Sequence, residues 1–404
     1  MKAAGVVAEF NPLHKGHIYH LRKTAELSGC DAVVVAMSGD FVQRGMPAVF
    51  DKWTRAGHAL RCGADLVIEI PAVHCLADAG VYAGAGVRLL EATGKVSHIS
   101  FGSECGDREV LKSTADFIRN NAEALKEGII NLRKDGLSYP AAREKTYREL
   151  GGPVFGPEIL GSPNDILGIE YILAMENAQP LVIKRQGAGY HMSGTEVSDG
   201  GYMSAGGIRE MMRKSDDISS HVPECVLESV KKRFTDGESI RSCEMRLFDL
   251  VRFAVLSMDA GLIDECPSGG EGLGNLVKEK VLSAGDMTEL ITTVKSKRYT
   301  YTRISRLCMQ AMLGIKRDGI SSPGYIRVLG FNDRGRELLS EIRKGDAASL
   351  PVITNINKES HMLDDKARRM LETDIHAADI YNLITGENMS KRSDHRQMPC
   401  IVTQ

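Results

Sequence analysis

Aromatic residues are scarce, at 5% of 404 residues, with a single tryptophan, Trp53. Any core must therefore be built mainly from Val, Leu, Ile, Ala and Met. No C-x-x-C pair occurs, and the nine cysteines are odd in number and scattered. That argues against a disulfide framework or a structural zinc site and for a reducing, cytoplasmic setting. No apolar run approaches the ~18 residues of a membrane span. The start, MKAAGVVAEFNP, is apolar only briefly before Glu9, Asn11 and Pro12, which is not a signal-peptide pattern. Neither sign of charge dominates: 51 basic against 53 acidic residues give −2, so only local clusters can speak for or against nucleic acid. What is plentiful is glycine, 41 residues, mostly before residue 210, implying tight turns and close backbone approaches there. With 43% hydrophobic and 26% charged residues, the chain is an ordinary globular one, and its length favours two or three domains.

The first hundred residues alternate strand-like and helix-like patterns. Ala3–Ala8, Ala32–Met37 (AVVVAM), Leu66–Ile70 (LVIEI) and His98–Phe101 read as strands, while His17–Leu27, Trp53–Cys62 and Ala79–Ala92 read as helices. This rhythm implies βαβ units and a parallel sheet. Residues 108–150 are charged and helical. Ser162-Pro163 opens a further helix, and Leu181–Lys184 returns as a fifth strand. A glycine-rich loop, Ser193–Gly207, precedes a helix beginning at Ile208. A boundary falls near Lys214–Pro223. Beyond it the periodicity is helical, with Met287–Leu313 as one helix and Tyr325–Leu329 as a short strand.

The sharpest motif is H-x-G-H, formed by His14, Gly16 and His17 directly after the first strand. In a chain of this composition it is expected roughly 0.03 times by chance. A helix start offers unpaired N–H groups and partial positive charge to a phosphate. Two imidazoles can hydrogen-bond phosphoryl oxygens as charge builds on them. Gly16 lets the ligand approach the backbone. The alternative is that the two histidines only cap the helix.

This motif resembles the HIGH-type nucleotidyltransferase superfamily, whose members share a Rossmann-like sheet and cleave ATP between its α- and β-phosphates. Its second signature, a Ser-rich segment ending in Arg, resembles MSAGGIR here, and Ser204 and Arg209 are the residues carried over. Small Ala205 and Gly206 stand where hydroxyls often sit. MSKRS (Met389–Ser393) echoes the synthetase lysine loop but reads as a solvated basic tail.

Further motifs narrow the match: AEFNPLHKGH, SGDFVQRGMPAVFDKWTRA (Ser38–Ala56), CGADLVIEIP (Cys62–Pro71), SFGSE (Ser100–Glu104), PNDILGIEY (Pro163–Tyr171), IKRQGAGYH (Ile183–His191) and KSKRYTYTRISR (Lys295–Arg306). In this order they resemble the tRNA(Met) cytidine acetate ligase family over most of the chain. The resemblance implies activation of acetate as acetyl-adenylate and acetylation of the wobble cytidine of elongator tRNA(Met). It implies ATP contacts at Val7, Ala8, Glu9, Phe10, Asn11, Pro12, Leu13, His14, Lys15, Gly16, His17, Ile18, Tyr19 and His20, and at Gly102, Asn164 and Arg185. It also implies magnesium arriving with ATP, with no metal site of the protein's own and no protein partner. The expected fold is α/β: residues 1–215 as a Rossmann-like catalytic domain and 216–404 as a mostly helical tRNA-binding region.

Residue chemistry agrees at several positions. Gly102 ends a strand, where α/β sheets bind ligands. Arg185 could fork onto phosphate or carry a salt bridge. Asp40 could orient a histidine or hold magnesium, and Gln43 and Arg44 could shape a pocket, although a structured turn needs the same residues. Ile291–Arg317 carries seven basic and no acidic residues. Lys295, Lys297, Arg298, Tyr299, Arg303 and Arg306 suit a looped RNA, with Tyr299, Arg303 and Arg306 on one helix face; a solvated helix face is the plainer alternative. Two other functions fit parts of the pattern: a small-molecule adenylyltransferase, or a non-catalytic RNA-binding protein with structural ATP.

Overall fold

The computed structural model describes residues 1–137, 139–153, 159–185, 201–234, 239–345, 347–388, 390 and 393–403. The GAGYH segment, residues 193–200 of the glycine-rich loop, and Met389, Lys391 and Arg392 lie outside the described residues.

Five parallel strands form the frame: β1 (Ala3–Ala8), β2 (Ala32–Ser38), β3 (Leu66–Ile70), β4 (Val96–Ser103) and β5 (Gln179–Lys184). They lie in the order β3-β2-β1-β4-β5. All seven residues of β2 are buried, as an apolar run in a doubly covered strand must be. Side chains alternate between faces. Val33, Val35 and Met37 pack beneath α1 (Lys15–Ser28) and α2 (Lys52–Arg61), in a core with Leu21, Ala56 and Leu60. Ala32, Val34 and Ala36 face α3 (Ala79–Glu91) and α4 (Pro163–Ala174), in a core with Leu89, Leu90 and Ile169. The order reverses at β1, so the crevice between the C-terminal ends of β1 and β4 is where such a sheet takes ligands.

The later chain returns to this sheet. Strand β6 (Ile326–Asn332) pairs antiparallel with β3, and β7 (Val352–Ile353) and β8 (Cys400–Val402) pair parallel with β6. The sheet thus crosses the boundary read near residue 215. Cys400–Val402, near the end of the chain, supplies an edge strand beside β6.

Between these strands lies a helical layer: α5 (Ala205–Lys214), α6 (Glu224–Arg233), α7 (Ile240–Ser257), α8 (Tyr301–Leu313) and α9 (Asp365–Thr385), among shorter helices. The core of α7, α8 and α9 joins Leu247, Val251, Ile304, Leu307 and Leu371 to Phe41 and Leu76, residues that follow β2 and β3, while Ile208 of α5 and Val226 of α6 join the core beneath α1 and α2. The single helix expected over Met287–Leu313 is two, Met287–Val294 and α8. The break comes at Ser296, whose hydroxyl accepts from the backbone N–H groups of Arg298 (3.3 Å) and Tyr299 (3.2 Å). This local turn competes with the helix.

Candidate active site

His14 is the N-cap of α1, in extended conformation. Its Nδ1 accepts from the Gly16 N–H at 3.0 Å, and His17 Nδ1 accepts from the His14 N–H at 3.3 Å. A ring nitrogen that accepts carries no proton. Each neutral imidazole therefore bears its proton on Nε2. The rings stack with centroids 3.7 Å apart, and Phe10 meets His17 edge-on at 5.0 Å. Phe10 takes a left-handed φ of 48°, an arrangement costing on the order of 1 kcal/mol that clusters at functional sites. Capping and phosphate contact are thus not rivals: Nδ1 caps the helix, and Nε2–H remains to donate. A Cβ on Gly16 would lie 2.9 Å from His14 Cε1 and 3.2 Å from Tyr202 Cβ. Glycine there is what lets the ring fold back and the 201–204 segment close in.

Burial, followed by the charges of Arg185 and His221, pushes the His14 pKa down to about 3. Burial, then Arg185, takes His20 to about 4, and burial holds His17 well below its usual range. All three are neutral at pH 7. The sign for stability follows. Unfolded, each histidine titrates near 6.5; folded, His14 titrates near 3 and His20, His58 and His74 near 4. Below pH 6.5 the unfolded chain holds more protons, so each histidine's contribution falls with pH by up to about 1.4 kcal/mol per unit. Asp40 and Asp374, raised by burial to about 7, act oppositely between about pH 4 and 7, but the histidines outnumber them. The denaturation midpoint is expected to fall between pH 7 and 5. A midpoint that rose on acidification would mean the folded histidines are charged.

The second motif reaches the first. Ser204 caps α5 through its Oγ, which accepts from the Gly207 N–H at 3.1 Å. Arg209, half-buried, donates to the Asn11 carbonyl at 2.6 Å. His221 O accepts from the Lys15 N–H at 2.9 Å. Across the crevice, Gly102 nears the end of β4, Arg185 follows β5 and Asn164 sits in the first turn of α4. A Cβ on Gly102 would come within 3.2 Å of Arg185 Cγ. The structure therefore brings His14, His17, His20, Gly102, Asn164, Arg185, Ser204 and Arg209 to one end of the sheet.

Sequence reasoning missed the residues that hold these in place. Glu104 accepts from Asn164 Nδ2 through Oε1 and from the Asp165 N–H through Oε2 at 3.1 Å, and lies 3.7 Å from Arg185 Nε. Asp165 in turn accepts from the Glu104 N–H at 2.9 Å and from Ser103 Oγ. Both lie inside quoted motifs, but only the fold shows them paired. Arg55 is fully buried and donates to the carbonyls of Glu9 (2.7 Å), Ser38 (3.0 Å), Gly39 and Phe50 (2.9 Å). It ties the C-terminal ends of β1 and β2 together, and nothing in its surrounding pattern signals that burial. Glu104→Gln, which keeps shape but not charge, is expected to raise the KM of the nucleotide several-fold while changing kcat less. An unchanged KM would remove Glu104 from nucleotide positioning.

Asp40 neither orients a histidine nor heads a metal cluster. It accepts from the Lys52 N–H at 2.7 Å in the interior, and among the described residues no group of three or more His, Cys, Asp or Glu side chains is placed to hold a metal. Gln43 N–H donates to Glu9 Oε1 at 2.9 Å, while Arg44 is exposed.

The basic segment divides. Lys295, Lys297 and Arg298 are exposed. Tyr299 is buried and donates its hydroxyl to Glu271 O at 2.7 Å. Arg303 binds Ser268 O (2.9 Å), Gly269 O (3.0 Å) and Glu271 Oε2 (3.1 Å). Arg306 leans on Gln43 O at 3.4 Å, and Ser305 Oγ donates to Gly45 O at 2.6 Å. Tyr299, Arg303 and Arg306 therefore do not form one exposed helix face. Tyr299 precedes α8 and is held by the Glu271 backbone carbonyl on a distant loop, while the Glu271 carboxylate draws Arg303 inward and also pairs with the exposed Arg298 at 3.2 Å. The seat is tight: Gly45 has φ +80°, and a Cβ there would lie 2.4 Å from Arg306 N.

The family model described as HIGH Nucleotidyl Transferase matches residues 1–397. Proteins named tRNA(Met) cytidine acetate ligase from Clostridium perfringens and Clostridium novyi are 35% and 36% identical. The matches cover 99% of this chain and 100% and 99% of theirs. The crystal structure of Thermotoga maritima TmcAL in its apo form superposes with a TM-score of 0.90 at 30% identity, over 100% of both chains. Its alpha-thio ATP complex gives 0.89 at 29%, again over the full length of both.

Proposed function

The chain belongs to the tRNA(Met) cytidine acetate ligase family of HIGH nucleotidyltransferases, and from that premise we propose that it is an ATP-dependent ligase that acetylates the wobble cytidine of elongator tRNA(Met). The observation that carries the reading is the pair of neutral imidazoles, His14 and His17, held by their own helix cap at the crevice of the sheet. ATP lies along Val7–His20, with its base and ribose toward Gly102, Asn164 and Arg185 and its phosphates toward α1 and α5. An acetate oxygen attacks the α-phosphorus, the bond to the bridging oxygen breaks, and pyrophosphate leaves. Nε2–H of His14 and His17 donates to oxygens on which charge grows, Arg209 adds positive charge, and the Ser204 cap orients the second helix start. The cytidine N4 then attacks the acetyl carbon, loses a proton, and AMP departs. Magnesium travels with ATP on phosphate and water ligands.

Lys295, Lys297 and Arg298 form the RNA-facing surface, while Tyr299, Arg303 and Arg306 brace the segment against the loop after β2. Reversing Lys297 and Arg298 to Glu is expected to weaken tRNA binding at least tenfold at unchanged ATP affinity, and to flatten its dependence on salt as phosphate contacts are lost. Unaltered retention in a filter assay would take this segment out of the interface. Acting on tRNA, the protein works in the cytoplasm on this reading. No helix among the described residues is long and apolar enough to cross a membrane. Acetate-dependent exchange of labelled pyrophosphate into ATP tests the adenylation step. Exchange that needs a phosphorylated small molecule instead would indicate an adenylyltransferase, and no exchange a non-catalytic binder.

A further inference from the structure

We infer that Cys62 and Cys225 are a redox modification site, a thiol pair placed to close into a reversible disulfide between α2 and α6. The sulfurs lie 4.0 Å apart. One turn away on each helix, His58 Nε2 and Ser229 Oγ are hydrogen-bonded at 2.8 Å. Cys62 is the C-cap of α2, four residues after His58, and Cys225 and Ser229 are four apart on α6, so each pair lies along one side of its helix. The two helices run antiparallel in a fixed register that sets 58 against 229 and 62 against 225. Closing the remaining ~2 Å to a sulfur–sulfur bond needs side-chain rotation rather than a new register. Both thiols are partly exposed, unlike Cys75, Cys266 and Cys308, which are buried. Cys225 is the second residue of α6, where the helix start favours a thiolate. The hydrogen bond from the Cys62 thiol lowers the Cys225 pKa against the opposing effect of burial, with the Arg61 charge adding a smaller lowering, while Cys62 as donor is pushed up. Nothing in the ligase reaction uses either sulfur.

With a peroxide as oxidant, the Cys225 thiolate attacks one peroxide oxygen. The O–O bond breaks, and the leaving hydroxide takes a proton to become water. Cys225 is then a sulfenic acid. The Cys62 sulfur attacks it, the S–O bond breaks, and the Cys62 proton leaves with hydroxide as a second water. Two thiols and one hydrogen peroxide give one disulfide and two waters. The cross-link would pin to α2 the segment whose His221 carbonyl holds the first residue of α1.

The test treats the reduced full-length chain with a small excess of hydrogen peroxide, blocks remaining thiols by alkylation, and maps unreduced peptides by mass spectrometry. A Cys62–Cys225 peptide should appear, two alkylatable thiols should be lost, and dithiothreitol should restore both. Cys225→Ser should abolish the cross-link and Cys400→Ser should keep it. Should Cys225→Ser fail to fold, the map of the unsubstituted chain decides alone. Cys225 joined to Cys400, oxidised to sulfinic acid beside a free Cys62, or no more reactive than Cys30, would each overturn the proposal.

Discussion

Replacing His17 by Ala is expected to lower turnover by at least ~10²-fold, the scale for losing one donor aimed at developing charge, while ATP affinity changes far less. His17 meets two needs. Its Nδ1 accepts from the His14 N–H, and in the proposed mechanism its Nε2–H donates to phosphate. Alanine removes both, so part of any loss could come from a frayed α1. His17→Asn separates the two, because a side-chain amide can accept from the cap while reaching less far with its donor. Activity still depressed in His17→Asn, at unchanged thermal stability, assigns the loss to the missing Nε2–H. Near-normal turnover in His17→Ala would dissociate this histidine from the phosphate site. Because His14 keeps its neutral form down to about pH 3, acidification to pH 6 should leave its Nδ1 accepting from the Gly16 N–H and the cap intact.

Asp394→Ala is expected to cost roughly 3–5 kcal/mol of stability, as breaking one partner of a buried ion network does. Asp394 Oδ2 accepts from Lys52 Nζ at 2.7 Å and Arg327 Nη1 at 2.9 Å, and its Oδ1 accepts from Trp53 Nε1 at 3.2 Å. Glu69 meets the same two cations, at 2.8 and 3.1 Å. All the charged members are nearly inaccessible to water. The two cations hold Asp394 below the usual carboxylate range, whereas burial pushes Asp40 up to about 7. Without Asp394, Lys52 and Arg327 keep Glu69, with Asp40 Oδ2 a more distant 3.8 Å from Lys52 Nζ, in a dry interior. The network joins α2, β3 and β6 to the end of the chain, so its loss should loosen β8 from the sheet as well. Denaturant titration checks this, and a change under about 1 kcal/mol would show that water already reaches the cluster.

These two positions mark what the sequence discloses. His14 and His17 were readable because helix-start chemistry needs residues that are neighbours along the chain. The central parallel strands are readable because doubly covered strands must be largely apolar, as β2 is throughout. Lys52 and Asp394 look like ordinary charged residues; only the fold makes them partners across almost the whole chain. Arg55 lies in a helix that reads as amphipathic, and its carbonyl ligands leave no charge partner to search for. The strand at Ile326–Asn332 was visible as a strand but not as a neighbour of β3, since antiparallel addition at a sheet edge leaves no local trace. Helical spacing sets Tyr299, Arg303 and Arg306 on one face suited to RNA, and the sequence hides the contrary fact because Glu271, which binds Tyr299 and Arg303, lies on another loop.

The account rests on ATP activating acetate for transfer to a tRNA base. The most direct measurement incubates the purified protein with tRNA lacking the modification, ATP, magnesium and isotope-labelled acetate, then digests the tRNA and reads its nucleosides by mass spectrometry. Label should appear in 4-acetylcytidine at the wobble position of elongator tRNA(Met), require ATP, and vanish with His14→Ala. Label that entered only from acetyl-CoA would contradict the account, because the nucleotide crevice would then have no part in activating the acyl group.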